Sequence, residues 1–288
     1  MLKNPYNTSR ARNVLESLRL SGQSQDQLLV AAVKTFLERS ASKEEQAWVD
    51  RIESLRKQLS ESTDKVKVIE WGIHKDMPPG STVDRDVSQV CKAAATPPLW
   101  GMLMFALVRQ FKPSVCLEMG TSLGISAAYQ GAALTLNGKG KLVTMEGAPG
   151  LAELAAKNWR QLGISCVEVV PGRFQETLPP TLDQLGSIDF AFIDGHHEEK
   201  ATLDYFEQIL PYLSNNAVVV FDDIAWSAGM RAAWSGITSN SNVRTSLDLS
   251  KAGICLLDRG NASSAPKARL AWEPSRWQRA VARIGFAS

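Results

Sequence analysis

The chain has 288 residues, 44% of them hydrophobic, and a formal net charge of +2. That length buries a full core in one large domain, alone or with an appendage, and the near balance of acid and base gives no reason to expect a nucleic acid or an anionic membrane as partner. The cysteines, Cys91, Cys116, Cys166 and Cys255, form no C-x-x-C pair and have no zinc-like spacing with histidine, so a disulfide or zinc framework is excluded in favour of small buried hydrophobes in a reducing compartment.

Residues 1–65 have the texture of a helical N-terminal extension. The opening Met1-Leu-Lys-Asn-Pro5 lacks the apolar run of a signal peptide, and the longest apolar stretch, Leu99 to Val108, is too short to span a bilayer, so a cytoplasmic protein without a membrane span is expected. Ser24 with Gln27 and Ser42 with Glu45 each match a capping box ahead of a helix. In the second helix Trp48, Ile52, Leu55 and Leu59 share one face, which either packs on the domain that follows or pairs with the same helix of a second subunit in a homodimer. Residues 66–98 are expected to form a lid or linker, with Pro78-Pro79-Gly80 as a turn and Pro97-Pro98 opening a helix over Leu99 to Gln110.

From residue 99 to 260 strand and helix alternate. Strands are expected at Val115–Met119, Lys141–Glu146, Cys166–Val170, Ile188–Ile193 and Ala217–Phe221, and Val243–Leu247 with Gly253–Leu257 are close enough for a final hairpin. By themselves these elements predict an open α/β sheet with helices on both faces. Residues 261–288 form a basic tail, in which Lys267 to Arg283 holds five basic residues and one acid. Trp277, Val281 and Ile284 recur there at helical spacing. The expected helix packs this stripe on the domain; the other reading is contact with a membrane surface or a partner.

The most telling segment is Val115-Cys-Leu-Glu118-Met-Gly120-Thr121-Ser122-Leu-Gly124-Ile-Ser126. An apolar strand runs into an acid, two glycines and a helix start, which is the layout of a nucleotide-cofactor loop; the bland alternative is an ordinary strand-turn-helix. It lacks the third glycine of the dinucleotide fingerprint and the Gly-Lys-Ser/Thr of a P-loop. The next strand ends in Glu146, an acid placed to bind ribose hydroxyls. This E-x-G-x-x-x-G-x-S loop resembles motif I of the class I S-adenosylmethionine-dependent methyltransferases, in their catechol O-methyltransferase-like branch, over roughly residues 95 to 258. The resemblance implies a doubly wound, seven-stranded, mostly parallel sheet with a terminal antiparallel pair. It places Glu118 and Gly120 beside the methionine moiety of S-adenosylmethionine, within a loop that includes Thr121, Ser122 and Gly124. Ser126 would then hold the cofactor carboxylate, Glu146 the ribose, and Gly172-Arg173-Phe174 the edge of the adenine, with Asp194 also lining the cofactor site.

Five acids, Glu118, Glu146, Asp194, Asp222 and Asp223, end strands in this layout, and carboxylates gathered at one crevice repel one another without a cation. The family resemblance implies that Asp194, Asp222 and Asp223 hold magnesium or another divalent ion, while the plainer reading has them cap strands in a metal-free enzyme. His196 and His197 follow Asp194; one of them, His196 in the first instance, is a candidate general base, or both shape the pocket. Trp226, Met230 and Trp234 either pack in the core or support a bound ring. The resulting expectation is an S-adenosylmethionine-dependent O-methyltransferase acting on a hydroxyl of a small molecule, a phenol or sugar. A metal-independent N- or RNA methyltransferase and a non-catalytic scaffold remain as alternatives.

Overall fold

The computed structural model describes residues 9–70, 78, 80–259 and 268–271. Strands β1 (Lys65–Glu70) and β2 (Ser81–Asp86) form an antiparallel pair of their own. The larger sheet comprises β3 (Val115–Met119), β4 (Lys141–Glu146), β5 (Val167–Pro171), β6 (Ile188–Ile193), β7 (Leu213–Phe221), β8 (Val243–Asp248), β9 (Gly253–Leu257) and β10 (Ala268–Ala271), in the order β10-β8-β9-β7-β6-β3-β4-β5. Strands β3, β4 and β5 pair in parallel, whereas β9 lies antiparallel between β7 and β8. The expected mostly parallel α/β sheet with a terminal antiparallel pair is therefore present. It has eight strands among the described residues rather than seven, because β10 adds in parallel to β8 at the edge. Of the tail expected as a basic helix, residues 268–271 are strand; Trp277, Val281 and Ile284 lie outside the described residues.

The strand sequences explain this layering. Cys116, Leu117 and Met119 in β3, and Ala217 through Phe221 in β7, are all fully buried. Apolar side chains on both faces of a strand require cover on both faces, the condition of a doubly wound sheet. Around the strands the chain forms two compact units, residues 41–190 and residues 1–40 with 191–288.

In the unit 41–190, helix α3 (Lys43–Glu61) begins with the capping box expected at Ser42 and Glu45. The Glu45 amide donates to the Ser42 hydroxyl at 3.2 Å, and the Ser42 amide to the Glu45 carboxylate at 3.0 Å. Ile52, Leu55 and Leu59 are buried, against α4 (Val87–Ala94), α6 (Ile125–Asn137) and α7 (Pro149–Leu162). These three residues of the stripe are thus covered within the chain, while Trp48 at its start stays partly exposed under Arg51. The Tyr129 hydroxyl donates to Glu53 at 2.7 Å, and Gly101 in α5 (Pro98–Phe111) makes room for that ring, since a Cβ there would stand 2.4 Å from it. Residues 66–98, expected as a lid or linker, contain most of β1, all of β2 and α4. At the start of α7, Gly150 meets the Lys67 carbonyl, where a Cβ would come within 2.6 Å.

In the other unit, α1 (Ser9–Leu20) and α2 (Ser24–Glu38) precede the C-terminal strands in sequence and pack with them. The capping box expected at Ser24 and Gln27 does not form. Gln23 is the N-cap, without a side-chain hydrogen bond, and Gln27 Nε2 donates instead to the Arg19 carbonyl at 2.7 Å. Ser21 occupies the bend before the helix: its hydroxyl donates to Asp26 at 2.6 Å and accepts from the Gln23 amide at 3.2 Å. Asp26 is fully buried, and Arg244 of β8 donates to both its carboxylate oxygens, at 3.0 and 2.9 Å. The planar guanidinium matches the carboxylate fork, so this pair fixes the orientation of α2 on β8.

Removing one member of a buried pair leaves the other charge desolvated, which costs about 3–5 kcal/mol. Arg244→Met is therefore expected to lower the urea-unfolding free energy by about that amount, and Asp26→Asn added to it to recover a large part.

Candidate active site

The loop after β3 is shaped by backbone conformation first. Gly120 (φ 108°), Ser122 (φ 47°) and Gly124 (φ 78°) are all left-handed. The Gly120 and Thr121 amides both donate to the Met145 carbonyl of β4, at 3.0 and 3.2 Å, which folds the loop against the neighbouring strand. At Gly124 glycine is demanded twice: its φ is positive, and a Cβ would stand 2.7 Å from the Trp159 indole, whose Nε1 donates to the Gly124 carbonyl at 2.8 Å. Gly124 is also the N-cap of α6, and no side chain caps this helix.

Glu118 is fully buried behind the loop. It accepts from Gln130 Nε2 at 2.8 Å, from the Thr144 hydroxyl at 2.6 Å and from Ser126. The Thr144 and Thr121 hydroxyls lie 2.7 Å apart, extending the chain of bonds into the loop. Burial pushes the Glu118 carboxyl up to about 7, with the Thr144, Ser126 and Gln130 hydrogen bonds pulling in the opposite direction. Glu146 is also buried, and its carboxylate accepts from the Ser122 amide at 2.8 Å and the Ala148 amide at 2.9 Å. Burial raises its pKa too, against the pull of those amides. The Gly172 amide donates to the Glu146 carbonyl at 2.8 Å, which attaches the loop after β5. Arg173 caps α8 (Phe174–Leu185) and lies 3.7 Å from Glu176, while Phe174 is buried. The residues expected around the cofactor in this unit, Glu118 to Ser126, Glu146 and Gly172 to Phe174, thus belong to one hydrogen-bonded neighbourhood. Two buried polar atoms in it, Ser122 Oγ and Gln130 Oε1, have no hydrogen-bond partner. An unpartnered polar atom costs free energy unless a ligand or water meets it, and here one of the two belongs to the loop itself.

In the other unit, Asp194 and the two histidines follow β6, and His196 (φ 62°) and His197 (φ 40°) are left-handed. His196 Nδ1 is 2.8 Å from the Tyr205 hydroxyl in α9 (Glu199–Ile209), and His197 Nε2 is 3.6 Å from Asp194. The Asp222 amide donates to the Ile193 carbonyl at 3.0 Å, setting the end of β7 beside the end of β6. Lys251 Nζ donates to Asp222 and to Asp223, each at 2.8 Å. Burial would lower the lysine pKa, but the two carboxylates outweigh it and raise the group above its ordinary range. Met230 and Trp234 are buried in and around α10 (Ala228–Ser239), whereas Trp226 is 68% exposed.

These residues do not fit a divalent ion as they are arranged. Lys251 already engages one oxygen each of Asp222 and Asp223 with its own positive charge, and among the described residues no three His, Cys, Asp or Glu side chains group as metal ligands. Magnesium on Asp194, Asp222 and Asp223 is therefore not shown by this arrangement. Lys251 and Tyr205 were missed in the sequence, Lys251 because it lies 28 residues beyond Asp223, a separation that only the final hairpin closes. Its one signal was its place between two strands expected to pair.

Residues 117–224 match the family model of a methyltransferase domain. That segment, a little over a third of the chain, is similar to a methyltransferase domain. Over 117 residues it is 32% identical to a catechol O-methyltransferase of Mycobacterium tuberculosis, covering 40% of this chain and 50% of that protein. Over 134 residues it is 28% identical to a catechol O-methyltransferase of Niastella koreensis, covering 46% and 59%. The chain thus spans little more than half the length of these relatives. A structure of the O-methyltransferase from Bacillus cereus in complex with SAH is similar in fold, with a TM-score of 0.51 at 18% identity over 80% of this chain and 97% of that one. No single helix among the described residues is long and apolar enough to cross a membrane.

The segment matched by the family model carries a pH signature. Glu118 takes up its proton near pH 7 when folded but near 4.5 when unfolded, so ionising it costs stability that is absent below pH 4.5 and grows as pH rises to 7. Glu118→Gln removes this cost, and its stability relative to wild type is expected to rise across that window by up to ~1.4 kcal/mol per pH unit, read from urea unfolding at pH 5, 6 and 7.

Proposed function

We propose that the protein is an S-adenosylmethionine-dependent O-methyltransferase that methylates a hydroxyl of a small molecule, a phenol or sugar. One observation carries this reading: the left-handed loop at residues 120–124, with its buried unpartnered Ser122 hydroxyl and uncapped helix, lies between two buried glutamates. When bound there, the cofactor supplies an electrophilic methyl group. Glu118 offers buried negative charge to a sulfonium, and Glu146, whose carboxylate is set by the Ser122 and Ala148 amides among others, takes the ribose hydroxyls. Gly172, Arg173 and Phe174 border the adenine.

On the acceptor side His196 removes the hydroxyl proton as the oxygen attacks. The Tyr205 hydroxyl on Nδ1 fixes the ring orientation that a general base requires. The exposed indole of Trp226, two residues after Ile224, provides a flat apolar surface for the acceptor ring or sugar. Alignment of oxygen and methyl carbon supplies much of the rate.

Calorimetric titration is expected to give one saturable S-adenosylmethionine site per chain. Glu146→Ala should weaken it by about 10- to 100-fold, the loss of hydrogen bonds to a charged group; no heat at millimolar cofactor would end the reading. With an acceptor found by screening phenols and sugars for S-adenosylhomocysteine release, His196→Ala is expected to lower turnover by about 100-fold or more and to flatten its rise with pH. Unchanged turnover and pH profile would remove His196 from the mechanism.

A further inference from the structure

A reaction centre built on Asp222 and Asp223 must balance two adjacent carboxylates. In this chain the balancing charge is covalently attached. Lys251 lies in the turn of residues 249–252 that joins β8 to β9, and several bonds set its position. The Leu249 amide donates to the Ala252 carbonyl and the Lys251 amide to the Leu249 carbonyl, both at 2.9 Å. Ser250 adopts φ 72°, its amide donating to Asp248 at 2.7 Å, and Asp248 is in turn held by Arg231 at 2.5 Å. The Lys251 carbonyl accepts from the Ile224 amide at 3.0 Å, tying the turn to the residue after the aspartate pair. From the other side, Asp223 holds φ 51°, a conformation disfavoured for a residue with a Cβ. Gly253 lets the hairpin close on the Trp234 ring, where a Cβ would stand 2.5 Å away. Backbone and ammonium are therefore placed together, and Nζ sits 2.8 Å from one oxygen of each carboxylate, its side chain only 14% exposed.

We propose that Lys251 is the resident cation of this methyltransferase, taking the place of a divalent ion at Asp222 and Asp223 and making methyl transfer metal-independent. This rests on the methyltransferase reading above. Lys251 acts as a positioning residue: it holds the two carboxylates and spends two of its three N–H bonds on them. A single positive charge against two negative ones leaves the group net anionic, so the acceptor oxygen is not activated by charge neutralisation alone. Removal of its proton falls to a protein base.

The test is manganese binding by the full-length protein, followed by the loss of the free-ion signal in electron paramagnetic resonance. Wild type is expected to bind no Mn2+ below about 1 mM, whereas Lys251→Ala should gain one site at least about tenfold tighter, lost again when Asp222→Asn is added. Lys251→Gln, which is neutral but can still donate an amide hydrogen to the aspartates, is read in parallel so that poor folding of the alanine variant does not decide the result. One Mn2+ bound stoichiometrically by wild type would overturn the proposal. So would an aspartate pair, freed in a folded variant, that takes up none. Calorimetry with S-adenosylmethionine on the same samples separates the two claims: cofactor binding together with wild-type Mn2+ binding overturns this one alone, while a lack of cofactor binding overturns the function.

Discussion

A carboxylate taken out of water must find a cation or several hydrogen-bond donors, and much of this protein's architecture follows from meeting that demand. Asp26 meets it with Arg244, Thr245 and Ser21. Glu118 has Gln130, Thr144 and Ser126; Glu146 has backbone amides on either side of its loop; Asp222 and Asp223 share Lys251. Each solution ties together segments distant in sequence. Asp26 brings α2 to β8, Glu118 joins β3 to β4 and α6, and Lys251 anchors the last hairpin to the end of β7. Burial of charge thus sets tertiary positions that apolar packing alone, which is non-directional, leaves loose.

The strained backbone shows where this ordering is concentrated. Among non-glycine residues with positive φ, Arg39 and Lys112 are ordinary helix C-caps. Ser122, His196, His197 and Asp223 lie in loops that follow the carboxyl ends of strands, and Ser250 is in the Lys251 turn. Such conformations cost about 1–3 kcal/mol each and persist where surrounding bonds over-determine them. Here those bonds are identifiable: Glu146 on the Ser122 amide, Tyr205 on His196, Lys251 on Asp223, and Asp248 on the Ser250 amide. The strain is placed in the residues proposed to meet cofactor and acceptor, which preorganises them.

The N-terminal helices belong to the same account. Ile52, Leu55 and Leu59 of α3 pack on α4, α6 and α7, and Glu45 pairs with Arg109 at 3.0 Å while Arg56 pairs with Glu53 at 3.0 Å and reaches the Thr96 carbonyl. This segment therefore braces α5 and α6, the helices flanking the cofactor loop. A helix with weak intrinsic stability is held by such tertiary contacts. Its contribution to the proposed function is rigidity at the loop.

The alternation of apolar strands with helices, the E-x-G-x-x-x-G-x-S loop and the acids at strand ends were legible in the sequence, because period, glycine and strand-terminal charge are local signals. The Ser42 capping box was legible for the same reason. The apparent one at Ser24 failed because Asp26, two residues on, is pulled toward Arg244 and takes Ser21 with it. The cation at Asp222 and Asp223 was not legible for a related cause. Of the five acids, Asp222 and Asp223 do take a cation, but its identity depended on which side chain the final hairpin delivers to them. That is a contact across 28 residues, fixed by the antiparallel register of β7, β8 and β9 and by the turn that closes it. Residue chemistry alone therefore determined that charge had to be balanced here; the fold decided that a lysine balances it, because pairing between distant strands carries no local signal in the chain.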